Sequence, residues 1–169
     1  MYECSLVTST QNINEILLYL KKEGWNKTEL NHTERIFIGN NFKIILIPEQ
    51  NKLIYKSIYD YNKNRTSICC AYNSYTIIKS LKTEEELVNL DLKFKKEIKI
   101  LGFLFVKNEI KIEILKINNK FLIKLFVSCE LPFEGEKRLE EEKENLKDFF
   151  NFIKPPVDWF NLDYKKEIN

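Results

Sequence analysis

Between Glu97 and Leu131 the side chains sort by parity, and that ordering limits the possible folds more than any other feature. Ile110, Ile112 and Ile114 alternate with Lys111 and Glu113. After Asn118-Asn119-Lys120, the odd positions Phe121, Ile123, Leu125, Val127, Cys129 and Leu131 are all apolar. A strand sends successive side chains to opposite faces, so the segment reads as three consecutive antiparallel strands with one apolar face and one wetter face. Such a sheet must curl on itself or be covered. The expectation is that the apolar row fills the inside of a closed sheet, and that nothing on these strands is equipped for catalysis.

A chain of 169 residues with 44% hydrophobic and 13% aromatic residues can build a sizeable core. A chain of this size buries roughly 70% of its unfolded surface. With few glycines and prolines to form a linker, one domain over residues 1–169 is expected. The formal net charge of +2 gives no overall pull toward nucleic acid or an anionic membrane. The local runs Lys93 to Lys99 and Glu134 to Glu144 read as solvated faces. Cys4, Cys69, Cys70 and Cys129 show no C-x-x-C spacing. Without a recognisable signal peptide, buried reduced thiols in an intracellular protein are expected. No apolar run approaches the roughly 20 residues of a membrane-spanning helix.

Along the chain, Glu3 to Thr8 reads as a strand. A helix follows, capped by Asn12 or Asn14, with Ile13, Ile16, Leu17 and Leu20 as its stripe and Gly24 as its stop. A polar loop then leads to a strand beginning at Arg35, a turn at Gly39-Asn40-Asn41, and strands over Phe42 to Pro48, Leu53 to Tyr59 and Thr66 to Lys79. The last of these is broken near Asn73-Ser74. Thr83 caps a short helix with Glu84, Glu85 and Glu86 in its first turn. In the long strand after Asp91, Ile98 and Ile100 are apolar on one parity, and Leu101, Phe103 and Phe105 on the other. That predicts a bulge or bend at Gly102. An amphipathic helix is expected over Lys137 to Ile153, ended by Pro155-Pro156 and followed by an aromatic tail with Trp159 and Phe160. The order indicates an α+β fold: an antiparallel curved sheet or barrel with an N-terminal helix, a short middle helix and a C-terminal amphipathic helix.

No catalytic, cofactor or metal site emerges. The one histidine, His32, has no nucleophile or carboxylate arranged locally with it. The cysteines lack ligand spacing, and no phosphate-cradling glycine loop occurs. Aromatics interleaved with lysines, such as Phe94, Phe103, Phe105 and Phe126, could stack bases. The balanced charge argues against direct nucleic-acid binding. Trp159 and Phe160 fold back on the barrel or anchor a protein contact.

Several local strings, in order, resemble the family of Mediator of RNA polymerase II transcription subunit 18. These are Tyr2-Glu3-Cys4-Ser5-Leu6 before a helix, and His32 with Ile36 and Phe37 at the entry to a strand. They continue with Glu97, Gly102, Phe103 and Phe105 in the pattern E-x-x-x-x-G-[FY]-x-F, the strand Phe121 to Val127, the acidic helix, and Ile153-Lys154-Pro155 leading to Val157 and Leu162-Asp163. The resemblance implies a bent β-barrel that pairs with Mediator subunit 20. The C-terminal helix of subunit 8 would tether the pair to the head module. It further implies a nuclear, non-enzymatic transcription coregulator that meets RNA polymerase II through other head subunits, with no cofactor.

Under that reading some apolar side chains stay exposed for partners. Leu122 and Phe126, on the opposite parity from the apolar row, are the candidates, with Trp159 and Phe160 in the tail. The alternative is a triphosphate tunnel-type, metal-dependent phosphohydrolase, because the Mediator barrel resembles that fold. Such an enzyme needs clustered carboxylates in E-x-E-x-K alternation. Here Glu3 is followed by Ser5, and Glu109-Ile110-Lys111-Ile112-Glu113 sets a lysine between its acids.

Overall fold

The computed structural model describes residues 1–60, 62–77 and 83–155. Its strands are β1 (Tyr2–Thr10), β2 (Asn26–Ile38), β3 (Phe42–Ile47), β4 (Lys52–Ser57), β5 (Ile68–Thr76), β6 (Lys93–Lys107), β7 (Ile110–Ile117) and β8 (Lys120–Cys129). They close into an antiparallel barrel in the order β1-β5-β4-β3-β2-β6-β7-β8, with β8 returning to β1. Among the described residues, three helices, α1 (Asn14–Lys22), α2 (Thr83–Asn89) and α3 (Pro132–Asn145), accompany the strands in an α+β architecture. β6, β7 and β8 are the three successive antiparallel strands expected from the parity pattern.

The large apolar core lies outside the barrel, not within it. Ile123, Leu125, Val127 and Cys129 of β8, Ile112 and Ile114 of β7, and Cys4 and Leu6 of β1 pack with Ile16 and Leu20 of α1 and Leu139 of α3. The odd row of β8 therefore faces the helices, which corrects the expected inward orientation. The physical reason is that each amphipathic helix must bury its own stripe, and the most continuous apolar face of the sheet offers the best cover. Burying each such side chain contributes about 1.5–3 kcal/mol. A second outer cluster, Phe37, Ile44 and Leu46 with Leu87 and Leu92, lies beneath α2.

Several expected boundaries move. Asn26 to Glu34, expected as a polar loop, is the first half of β2 and pairs with β6 from Asn26↔Val106 to Glu34↔Ile98. Long-range pairing overrides its weak strand propensity. β5 runs unbroken through Asn73 and Ser74. No irregularity occurs at Gly102, which pairs with Leu30 on one side and Leu115 on the other; the register shift lies between Ile36 and Phe37, opposite Lys95. Gly102 is needed because an added Cβ would sit 2.0 Å from the Ile114 carbonyl oxygen. Both parities of β6 are apolar because the strand separates the lumen from the outer surface. Gly24 does adopt the left-handed conformation, with φ of 76°.

The last helix starts and ends earlier than expected. Pro132 occupies its first turn, where a missing N–H is harmless. Beyond Asn145 the chain leaves helical spacing so that Leu146, Phe150 and Phe152 can all enter the outer core. Ile153 then exchanges two backbone hydrogen bonds of 2.9 Å with Val7, covering part of the β1 edge that β5 leaves open. The tail residues Trp159 and Phe160 lie outside the described residues.

Candidate functional site: the barrel lumen

Strand alternation leaves Glu3, Ser5 and Val7 of β1 pointing inward, because Cys4 and Leu6 are committed to the outer core. Part of the lumen is sealed by apolar packing of Val7, Ile68, Ile100, Leu115 and Leu122. The remainder is a cavity of about 320 Å³ whose wall includes Glu3, Glu34, Lys43, Lys56, Lys111 and Lys124. A lumen filled wholly by oily side chains is the expectation from sequence, and the structure corrects it: acids and bases share the cavity wall with Leu30, Ile45, Ile47 and Leu104. Charge is tolerated there because each buried charge has an opposite charge or a wet mouth nearby.

Glu3 organises the site. It is 3% exposed. Lys56 Nζ donates to its Oε1 and Oε2 at 2.8 and 3.0 Å, and Lys124 Nζ donates to Oε1 at 2.7 Å. Burial pushes the Glu3 carboxyl up, but the charges of Lys124 and Lys56 outweigh it and hold the group well below the carboxylate range. Burial likewise works against the Lys56 ammonium, and Glu3 reverses the effect, raising its pKa well above the usual value.

Lys43 has the opposite balance. Burial, reinforced by repulsion from Lys56, lowers its pKa to about 7. Its ammonium faces the Tyr59 ring at 5.7 Å. Lys111 is lowered too, first by burial. Lys124 lies over the Phe126 ring at 4.4 Å. On β2, His32 is buried with neither ring nitrogen hydrogen-bonded, and its Nε2 is 3.5 Å from Glu34 Oε1.

The sequence candidates fare unevenly. Leu122, expected to stay exposed for a partner, is 2% exposed and part of the apolar seal. Phe126 is half-buried in the cavity wall. Both face inward because their opposite-parity neighbours are taken by the helices. Lys111, Glu113 and Lys124 line the cavity, so β7 and β8 do carry ionisable groups that could do chemistry. Lys43, Lys56 and Lys124 were not singled out from sequence. The available signal was a solitary lysine within a strand of apolar residues, as in Phe42-Lys43-Ile44 and Leu53 to Tyr59.

The donor set suits an anion better than a hard cation. After Glu3, the next inward positions of β1 are Ser5 and Val7, so no second carboxylate follows at alternate spacing. Glu109 lies at the β6–β7 turn and pairs with Arg138 of α3, away from the cavity. Among the described residues, no group of three His, Cys, Asp or Glu side chains is placed to hold a metal ion. The one carboxylate at the centre already accepts from two ammonium groups.

Two sites lie outside the lumen. Arg35 bridges Glu84 of α2 and Glu97 of β6 beside an open groove lined by Phe37, Val88 and Phe94. Cys4, Cys69 and Cys129 form a buried thiol cluster against Gly135, with Cys4 Sγ 2.8 Å from Cys69 Sγ and 3.8 Å from Cys129 Sγ. All four cysteines are free and buried, as expected, with Cys69 and Cys70 on opposite faces of β5.

No known protein family and no curated protein matches the chain by sequence. Solved structures do match its fold, an eight-stranded closed barrel with packed helices. A chain of the Schizosaccharomyces pombe Mediator head module superposes with a TM-score of 0.72 at 9% identity, over 92% of this chain and 99% of that one. The Pyrococcus horikoshii protein PH1012 gives 0.67 at 14% identity, over 86% and 90%. A Vibrio parahaemolyticus protein described as a "putative adenylate cyclase" gives 0.62 at 12% identity, over 88% of each chain. At these identities the likeness establishes the fold and nothing finer.

Proposed function

We propose that this chain is a subunit of the Mediator head module, of the subunit 18 type. It acts without catalysis as a transcription coregulator for RNA polymerase II in the nucleus. It pairs with subunit 20, and the C-terminal helix of subunit 8 tethers the pair. The end-to-end correspondence with the Mediator head chain carries this reading, because it joins a string of local motifs found in the same order. The motif residues have structural reasons to be as they are: Gly102 admits the Ile114 carbonyl, Phe105 is buried under the outer cover, and Glu97 holds Arg35. With Leu122 inside, partner contacts fall to outer surfaces and to Trp159 and Phe160. Co-expression with subunit 20 and the subunit 8 C-terminal helix, followed by size exclusion with light scattering, tests the proposal. A stoichiometric ternary complex is expected; a monomer that ignores both would refute it.

Two observations favour a second reading, a triphosphate tunnel-type phosphohydrolase: the lumen is charged, and the barrel is also similar to the Vibrio protein. The saturation of Glu3 by two lysines and the serine at the next inward position weigh against a metal there. Phosphate release from a nucleoside triphosphate with manganese would reverse the ranking.

A further inference from the structure

We propose that Cys4 and Cys69 are a reversible oxidation site: on meeting a hydroperoxide they join in a disulfide that staples β1 to β5. This goes beyond the partner role and does not depend on it.

Closure of the barrel gathers the thiols. β5, β1 and β8 are neighbours, and Cys69, Cys4 and Cys129 all pack on the outer side, against the start of α3. Cys4 Sγ donates to the Pro132 carbonyl at 3.5 Å. A methyl added at Gly135 would lie 2.7 Å from Cys129 Sγ and 3.0 Å from Cys4 Sγ, so the helix meets the sulfurs where it has no side chain.

Register selects one pair among them. Cys4 stands directly opposite Cys69 in the β1–β5 ladder. Opposed residues of antiparallel strands have Cα atoms about 4.5–5.5 Å apart, within the roughly 4.4–6.8 Å that a disulfide spans. The two sulfurs are already 2.8 Å apart. Cys129 is opposite Tyr2 and so lies diagonally from Cys4. That relation sets residues about 7–8 Å apart, which a disulfide does not bridge without backbone movement. Cys70 packs on the lumen side, away from all three.

The surroundings make Cys69 the attacking sulfur. Hydrogen bonding from Cys4 and from Ser67, whose Oγ is 3.8 Å away, acts with the Arg65 charge to lower its pKa, against burial and Glu136. The contact with Cys69, together with burial, raises the Cys4 thiol. Cys69 also forms part of the wall of a recess of about 220 Å³, with Tyr2, Asp60, Arg65 and Pro132. A water molecule takes up only about 30 Å³, so a small hydroperoxide fits.

The Cys69 thiolate attacks one peroxide oxygen. An S–O bond forms, the O–O bond breaks, and the departing oxygen takes up the proton that Cys69 released, leaving a sulfenic acid. Cys4 gives up its proton as its sulfur attacks Cys69 Sγ. The S–S bond forms, the S–O bond breaks, and the hydroxide leaves with that proton as water. Two thiols are oxidised by two electrons, and hydrogen peroxide is reduced to two waters. The β1–β5 ladder has four register pairs against nine between β1 and β8, so the bond pins a short seam.

Mass spectrometry of the full chain, reduced, freed of reductant and exposed to hydrogen peroxide without denaturant, tests this. The intact mass should fall by two hydrogens, and peptide mapping should link Cys4 to the peptide that carries Cys69 and Cys70. Cys70→Ser and Cys129→Ser should still form the link, and Cys69→Ser should not. The oxidised chain should melt roughly 4–16 °C above the reduced one, a shift that dithiothreitol removes. Four results would overturn the proposal: no link without denaturant, a link to Cys129, a link lost in Cys70→Ser but kept in Cys69→Ser, or an unchanged melting temperature. The mapping uses the wild type, so a variant that fails to fold does not remove the test. Assembly with Mediator subunits is read separately and does not depend on these results.

Discussion

Replacing Glu3 by glutamine tests how the barrel tolerates charge in its lumen. In the wild type, one carboxylate accepts three hydrogen bonds of 2.7–3.0 Å from Lys56 and Lys124, both largely buried. Glu3→Gln leaves two ammonium groups inside with no opposing charge at that point. Removing one member of a buried pair destabilises by about 3–5 kcal/mol. That is a large share of the roughly 5–15 kcal/mol that hold a typical domain folded. At about 2–4 °C per kcal/mol for a chain of this size, the melting temperature should fall by roughly 6–20 °C. The acid limb should change as well. The folded-state pKa of Glu3 lies below its ordinary value of 4.5. Its contribution is therefore present above the ordinary value and is lost as the pH falls from there through the folded value. Urea unfolding between about pH 3 and pH 7 should show a steeper acid loss in the wild type than in Glu3→Gln. The triple variant Glu3→Leu, Lys56→Met, Lys124→Met should recover most of the lost stability, because apolar replacement of a whole buried network is close to neutral. A single-variant loss below about 1 kcal/mol, or a triple variant worse than the single, would refute the reasoning.

Further outcomes follow from the same structure. Lys43→Met should stabilise the fold by about 1–3 kcal/mol near pH 6, an advantage that fades toward pH 10. Lys43 is ordinarily protonated up to 10.5 but only up to about 7 when folded, so wild-type stability should rise with pH between those values. Flat wild-type stability across that window in urea titrations would contradict this. Leu122→Ala should lower stability by about 2–5 kcal/mol through a cavity in the apolar seal. It should leave partner binding unchanged once the protein is folded, as read by pull-down at low temperature. Gly102→Ala should lower stability by at least about 3 kcal/mol. The added methyl meets backbone at 2.0 Å and must force β6 from β7. A melting temperature within a few degrees of wild type would show that the strands separate more easily than this close approach indicates.

Parity along β7 and β8 was enough to find their antiparallel pairing, but it left open whether the sheet closes or only curves. Amphipathic stripes located α1 and α3. What parity cannot reveal is which face of a barrel points inward. Ile123, Leu125 and Val127 form the more apolar row of β8, yet that row packs against helices, while Leu122, Lys124 and Phe126 face the lumen. Both faces of a covered barrel are buried, and the helices compete for the better one. The polar half of β2 was illegible for a related reason: its strand state is imposed by pairing with its neighbour β6, not by its own residues. The end of α3 was misjudged because Leu146 and Phe150 continue an apolar pattern after the helix has stopped. At the lumen, Glu3 was noticed on β1, but its lysine partners come from β4 and β8, far away in sequence, and only closure brings them together. Gly102 was rightly marked as special, although its reason is close approach and not a bulge.

The central claim is that this charged barrel serves an assembly and not a reaction. Affinity purification of the tagged full-length chain from its own cells, with quantitative mass spectrometry of what accompanies it, tests that most directly. Head-module subunits, among them those resembling subunits 20 and 8, should be recovered in near-equal amounts. Recovery of the chain alone, together with phosphate release from nucleoside triphosphates by the purified protein, would contradict the account.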